Sequence, residues 1–166
     1  MTDLWLIYFL GIEVKQTENG ILISQEKYVT NFLERFNMKN IKSSPTPTVM
    51  GLKLSKEYCN KNVNPTLYKG MVGSLMYLTA SRPDIMYAIS LISRFMKTPK
   101  ETHFQETKII LRYVNGTKDY GVLYFATDDF KLIGYTNSDW ARSVDDRKST
   151  SGYVFLFGIE IRFMGF

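Results

Sequence analysis

The chain has 166 residues, 45% of them hydrophobic and 14% aromatic, enough for one packed domain or two small ones that share a core, which excludes disorder for most of its length. A formal charge of +5, from 21 Lys and Arg against 16 Asp and Glu, favours polyanionic partners. The lone cysteine, Cys59, excludes an intrachain disulfide and fits an intracellular, reducing compartment; no run reaches the roughly 18 apolar residues of a membrane helix, and Asp3 with Glu13 argues against a signal peptide.

Residues 6–16, LIYFLGIEVKQ, mix aromatic and β-branched residues, and ILIS resumes the pattern after TENG. This predicts a β-hairpin, with Asn19-Gly20 as a type I′ turn that needs φ > 0 at both central positions. Ser24 is the expected N-cap of the helix that follows, where Val29, Phe32, Leu33 and Phe36 recur at helical spacing. From Asn40 to Thr66 the periodicity disappears among Pro45, Pro47 and Pro65. That stretch reads as a linker between subdomains or as a loop ordered by a partner.

Helical patterns then return. The first, about Leu67 to Thr79, puts Leu67, Met71, Leu75 and Leu78 on one face and carries Gly70, Gly73 and Ser74. Each interior glycine costs about 1 kcal/mol of helix stability, so the backbone there is expected to approach either a packing neighbour or a duplex backbone. A second helix opens at Pro83-Asp84 with Ile85, Ala88, Ile89 and Ile92 as its buried stripe. The third has a capping box over Thr98-Pro99-Lys100-Glu101 and runs through Phe104, Thr107, Ile110, Leu111 and Val114 to Gly116 as the C′ residue. Beyond it GVLYF, KLIGYT and GYVFLFG predict strands, so the order of elements specifies an α+β protein.

Nucleophilic and phosphate-loop chemistry find no support. His103, the only histidine, reads as a surface residue at a helix start, and no glycine cradle precedes Lys148-Ser149-Thr150. Asp139, Asp145 and Asp146 offer the hard oxygens that Mg²⁺ prefers. The simpler reading is a solvated loop in which Asp145 and Asp146 face Arg147 and Lys148. Basic residues, Arg82 and Arg112 among them, cluster around the helices beside Tyr77, Tyr87 and Tyr113, a pattern shared by duplex-binding surfaces and ordinary solvated helix faces.

As a set, YFLGIEV, GILISQEKY, VGSLMYLTASRPDIMYAISLISRFM, ILRYVNGTKDYG and GYTNSDWARSVDDRKSTSGYVF resemble the Pol polyprotein of Ty1/copia-type retrotransposons, over nearly the whole chain. The resemblance implies a fragment that follows the polymerase's metal-binding aspartates. Phe9, Leu10 and Gly11 look like a primer-grip hairpin, and Gly70, Gly73 and Ser74 like part of a thumb helix against the template–primer minor groove. Arg82 and Arg112 complete the expected nucleic-acid-binding set.

From Lys131 onward the chain resembles the opening of an RNase H domain, in which the first strand carries a Mg²⁺-binding aspartate in a Tyr-Thr-Asp setting. Here Asn137 occupies that position. Its neutral carbonyl removes a full charge from such a site, with Asp139 as a conceivable substitute about 6–7 Å further along the strand. Trp5, Arg142 and the ending IEIRFMGF also depart from the family pattern.

The resemblance thus implies the end of a polymerase palm over 1–39, a linker over 40–66, thumb- and connection-like helices over 67–118, and an incomplete RNase H-like antiparallel sheet over 119–166. The expected function is that of a Pol fragment without catalysis of its own, with no cofactor (Mg²⁺ serving only the complete enzyme) and weak, non-specific binding to RNA–DNA or DNA duplexes. The missing upstream palm is a further expected partner. The alternatives are a residual or complementing Mg²⁺-dependent RNase H using Asp139, and a co-opted protein-interaction module.

Overall fold

The computed structural model of the protein describes residues 6–18, 20–49, 51–56, 61–125, 131–138, 140, 143–149, 151–157 and 161–164. The N-terminal apolar run forms two strands where periodicity suggests one, β1 (Leu6–Phe9) and β2 (Ile12–Thr17), with Phe9 opposite Ile12. Leu10 and Gly11 turn the chain at φ of 48° and 79°. Those are the positive values a type I′ turn demands. A leucine gives no local signal for that conformation, which is why pattern alone misses the turn.

β3 (Gly20–Ser24) completes the expected hairpin, but Thr17 pairs with Gly20, so the loop sits one residue earlier than the Asn19-Gly20 turn predicted; Asn19 itself lies outside the described residues. Gly20 has another reason to be glycine. Its φ is 148°, and a Cβ there would lie 1.9 Å from the Tyr124 carbonyl oxygen. That oxygen belongs to β4 (Gly121–Phe125), whose register runs from Gly20↔Phe125 to Ser24↔Gly121. GVLYF therefore joins the N-terminal strands instead of opening a separate C-terminal sheet.

Four helices are described. In α1 (Glu26–Arg35) Val29, Phe32 and Leu33 are buried as predicted, though Gln25, not Ser24, occupies the cap position. α2 (Pro65–Leu78) starts earlier than expected because Asn64 Oδ1 accepts from the backbone N–H of Thr66 and Leu67. Its buried stripe is Tyr68, Met71, Val72, Leu75 and Leu78, while Leu67 faces outward. Pro83–Ile85 form a 3-10 turn into α3 (Met86–Ser93), with Ala88, Ile89 and Ile92 buried.

α4 (Glu101–Gly116) is not capped by the Thr98 box. The Lys100 N–H donates instead to His103 Nδ1 at 3.1 Å. Side chains from all four helices, among them Phe32, Leu75, Ile89 and Leu111, close one core. The α+β class stands.

The start of the proline-rich segment after α1 is docked on α4. Arg112 Nε donates to Lys42 O at 2.8 Å, Asn115 Nδ2 to Ile41 O at 3.0 Å, and Ser44 N to Arg112 O at 3.3 Å. Gly116 serves this docking, since a Cβ there would lie 2.7 Å from Ser43 Cβ. Glycine at that position answers to packing rather than to a left-handed C-cap.

β5 (Leu132–Ser138) and β6 (Ser151–Phe157) pair with each other along their length, from Leu132↔Phe157 to Ser138↔Ser151. β7 (Ile161–Met164) returns to the larger sheet beside β4, giving the order β1-β2-β3-β4-β7. The β5–β6 ribbon is fastened through its connecting loop. Asp145 Oδ1 accepts from Ser55 Oγ at 2.6 Å, and its Oδ2 from Lys56 N at 3.1 Å.

Candidate nucleic-acid interface

The turn between β1 and β2 projects apolar side chains outward, with Phe9 69% and Leu10 72% exposed. It is nevertheless fixed on its inner side. Tyr77, near the end of α2, donates its hydroxyl to the Leu10 carbonyl oxygen. A Cβ on Gly11 would meet Tyr28 Cδ2 at 3.4 Å and Tyr77 Cε1 at 3.6 Å, so both rings close directly over the turn. They pack edge to face with centroids 5.0 Å apart, and Tyr28 donates to Ser74 O at 3.1 Å.

The base of the hairpin is tied as well. Lys27 N donates to Glu13 Oε1 at 2.8 Å, while Lys27 Nζ lies 4.9 Å from the Tyr8 ring centroid. Thus the fold brings together Phe9, Leu10 and Gly11 with the α2 face that carries Gly70, Gly73 and Ser74. Sequence reasoning does not single out Tyr28. Tyr77 has a readable signal, since its spacing from Gly73 and Gly70 places it on their face.

On that face no packing among the described residues requires glycine. A Cβ on Gly73 would meet no atom within 4 Å, and one on Gly70 only Phe36 Cζ at 3.8 Å. Close helix packing among the described residues is therefore not the reason for either glycine. Ser74 spends its hydroxyl on the Gly70 carbonyl oxygen at 2.9 Å.

The two arginines are placed otherwise. Arg82 is 1% exposed, which corrects the expectation that it offers a donor to a duplex. Its Nε and Nη2 bind Asp84 at 2.9 and 2.7 Å, and Nη1 and Nη2 bind Thr117 O and Oγ1, both at 2.7 Å. Tyr113 donates to Asp84 Oδ2 at 2.9 Å; burial first, then the Asp84 charge, pushes its phenol up to about 12. Arg112 is half-buried and turned to the Lys42 carbonyl, as described above.

His103, expected on the surface, is fully buried and stacks on Phe95 with centroids 3.8 Å apart. Since Nδ1 accepts from Lys100 N, the proton sits on Nε2 and is donated to Ser55 O at 3.1 Å. Burial lowers its pKa below the ordinary 6.5, against smaller upward pulls from Ser55 and Asp145, while Lys100 adds to the lowering.

A group held neutral in the fold and free to protonate when unfolded gives stability that is complete above about pH 6.5 and declines as pH falls below it. We expect the urea midpoint to drop between about pH 7.5 and pH 5, and the His103→Gln variant to show a shallower drop.

In β5, Asn137 lies opposite Gly152, while Asp139 falls outside the described residues. Asp145 holds Ser55 and Lys56, and Asp146 pairs with Lys148 Nζ at 3.2 Å. Side-chain and backbone hydrogen bonds from Ser143 and Lys148, with the Lys148 charge, hold the Asp146 carboxyl down at about 2. Among the described residues no group of three or more His, Cys, Asp or Glu side chains is arranged to hold a metal ion.

A cleft of about 290 Å³ between residues 52–56, α3 and the 143–149 loop is lined by Lys53, Lys56, Arg94 and Lys148 but also by Asp145 and Asp146. Mixed signs make it a docking seam for the ribbon. No helix among the described residues is long and apolar enough to cross a membrane.

No family model matches the chain, and no solved structure does. Curated proteins do. The retrovirus-related Pol polyprotein from transposon RE1 of Arabidopsis thaliana is 43% identical over 153 residues, 92% of this chain and 10% of that protein. The Pol polyprotein from transposon TNT 1-94 of Nicotiana tabacum is 43% identical over 157 residues, 89% of this chain and 12% of its own length. The uncharacterized mitochondrial protein AtMg00810 of Arabidopsis thaliana is 34% identical over 154 residues, 93% of this chain and 64% of that protein. The chain spans about a tenth of the length of the Pol polyproteins it matches. It belongs to the retrovirus-related Pol polyproteins of copia-type transposons, of which it corresponds to one segment.

Proposed function

We propose that this Pol segment is a duplex-binding element without catalysis of its own, and that the β1–β2 turn and the glycine face of α2 engage the sugar-phosphate surface of an RNA–DNA hybrid or DNA duplex together. The observation that carries the reading is the open α2 face. Gly70 and Gly73 weaken their helix and meet almost nothing among the described residues, so their small size serves an approach from outside. The exposed apolar turn beside them suits contact with sugars and base edges, and the charge of +5 supplies the long-range attraction. Binding of this kind carries no sequence information.

Glycine selected for internal packing and glycine selected for an outside surface respond oppositely to a methyl group. Gly73→Ala should stabilise the protein by about 0.5–1 kcal/mol, because the added Cβ meets open space and the helix gains propensity. The same substitution should weaken binding to an RNA–DNA hybrid, and Gly73→Leu should weaken it further. Fluorescence anisotropy at two salt concentrations checks this, with affinity falling steeply as salt rises. Absence of binding by the unaltered chain even at low salt, or full affinity in Gly73→Leu, would reject the proposal.

A further inference from the structure

We infer that Tyr77 is a positioning residue: its hydroxyl, donated to the Leu10 carbonyl, latches the β1–β2 turn to α2, so that the turn and the glycine face meet a duplex as one rigid surface. The inference deepens the duplex-binding reading and rests on it. Leu10 is a non-glycine residue in the left-handed region, with φ of 48°, on a turn most of whose apolar surface is in solvent. Such a conformation persists only where its surroundings enforce it. Among the described residues the enforcing contacts come from two tyrosines.

Tyr77 binds the Leu10 carbonyl, Tyr28 lies against Gly11, and the Tyr28 hydroxyl reaches back to the Ser74 carbonyl on the helix that carries Tyr77. The edge-to-face contact between the two rings, 5.0 Å between centroids, completes a closed loop of contacts through β1–β2, α1 and α2. Without the Tyr77 hydroxyl the turn keeps its strand pairing but loses the contact that fixes Leu10. Phe9 and Leu10 would then be ordered only at the moment of binding, and affinity would fall by the entropy of that ordering.

Tyr77→Phe is the test, because it removes the donor and keeps the ring. In the free protein, hydrogen exchange at the amides of residues 9–12 should accelerate by about fivefold, the change that one net hydrogen bond supports. Affinity for an RNA–DNA hybrid should fall by a similar factor, and Phe9→Ala should weaken binding less in the Tyr77→Phe background than alone.

Leu10→Asn supplies the Asn-Gly pair that favours this turn by itself. Added to Tyr77→Phe, it should return the exchange rates toward those of the unaltered chain, a rescue that a merely packing role for Tyr77 would not allow. Unchanged exchange in Tyr77→Phe, or exchange that stays fast in the double variant, overturns the latch while leaving duplex binding intact. If the unaltered chain binds no hybrid, the duplex-binding reading fails first and the latch's role in binding falls with it.

Discussion

Arg82→Ala should destabilise the protein by about 3–5 kcal/mol, read as a lower urea midpoint with an unchanged slope. The guanidinium is buried; two of its hydrogen bonds stay within the turn that opens α3, on Asp84, and two reach Thr117, the residue that ends α4 and is distant in sequence. Tyr113 and Tyr120 enclose it, with ring centroids 5.6 and 5.4 Å from the Arg82 carbon. Removing the cation leaves Asp84 charged, only 16% exposed and without its ion-pair partner. That unpaired carboxylate accounts for most of the expected loss. Arg82→Lys should recover only a minor part, because an ammonium on a flexible stem cannot bind the Asp84 carboxylate with two nitrogens and reach Thr117 as well. A loss below about 1 kcal/mol would mean that this network does not hold α3 to α4.

Gly20→Ala should cost about 3 kcal/mol, combining an overpacking penalty of about 1–3 kcal/mol with backbone strain of similar size. The added methyl would sit 1.9 Å from the Tyr124 carbonyl oxygen, a backbone atom in β4 that cannot swing away as a side chain would. The damage should spread beyond the hairpin. Strand β4 lies between β3 and β7, so amide exchange in residues 121–125 should accelerate together with that in 20–24. Were Gly20 needed only for a turn, the protection of 121–125 would be unaffected. Compared with the gain expected from Gly73→Ala, this separates a glycine demanded by the fold from one that the fold tolerates.

Much of the helical core was legible in the residues themselves. The stripes Val29-Phe32-Leu33 and Ala88-Ile89-Ile92 are buried where their spacing puts them, because a 3.6-residue period leaves one face to cover. The β2–β3 hairpin was legible too, apart from one residue in its loop. Boundaries and caps were less so. His103 caps its helix through a ring that no short capping pattern identifies, whereas Asn64-Pro65 is a readable cap that the apolar periodicity starting at Leu67 overshadows.

The candidate surface divides along the same line. The sequence marks Phe9-Leu10-Gly11 and Gly70, Gly73 and Ser74 separately, by composition and by family resemblance. Their meeting through Tyr28 and Tyr77 spans more than 60 positions between Leu10 and Tyr77 and is visible only in the tertiary contact itself. Arg82 shows the reverse error. A basic residue among other basic residues reads as surface, and only the positions of Asp84 and Thr117 show that all its bonding is internal.

By itself, then, the sequence determined the α+β class, the buried stripes and the family, since each rests on local periodicity or on motifs in order. Tertiary structure alone decided that β4 joins the N-terminal sheet, that residues 41–44 dock on α4, that Arg82 is buried, and that Gly73 is open. The physical reason is common to all of these. Burial, close approach and hydrogen-bond partnership depend on atoms from far along the chain, and a local pattern carries no information about what will lie opposite it.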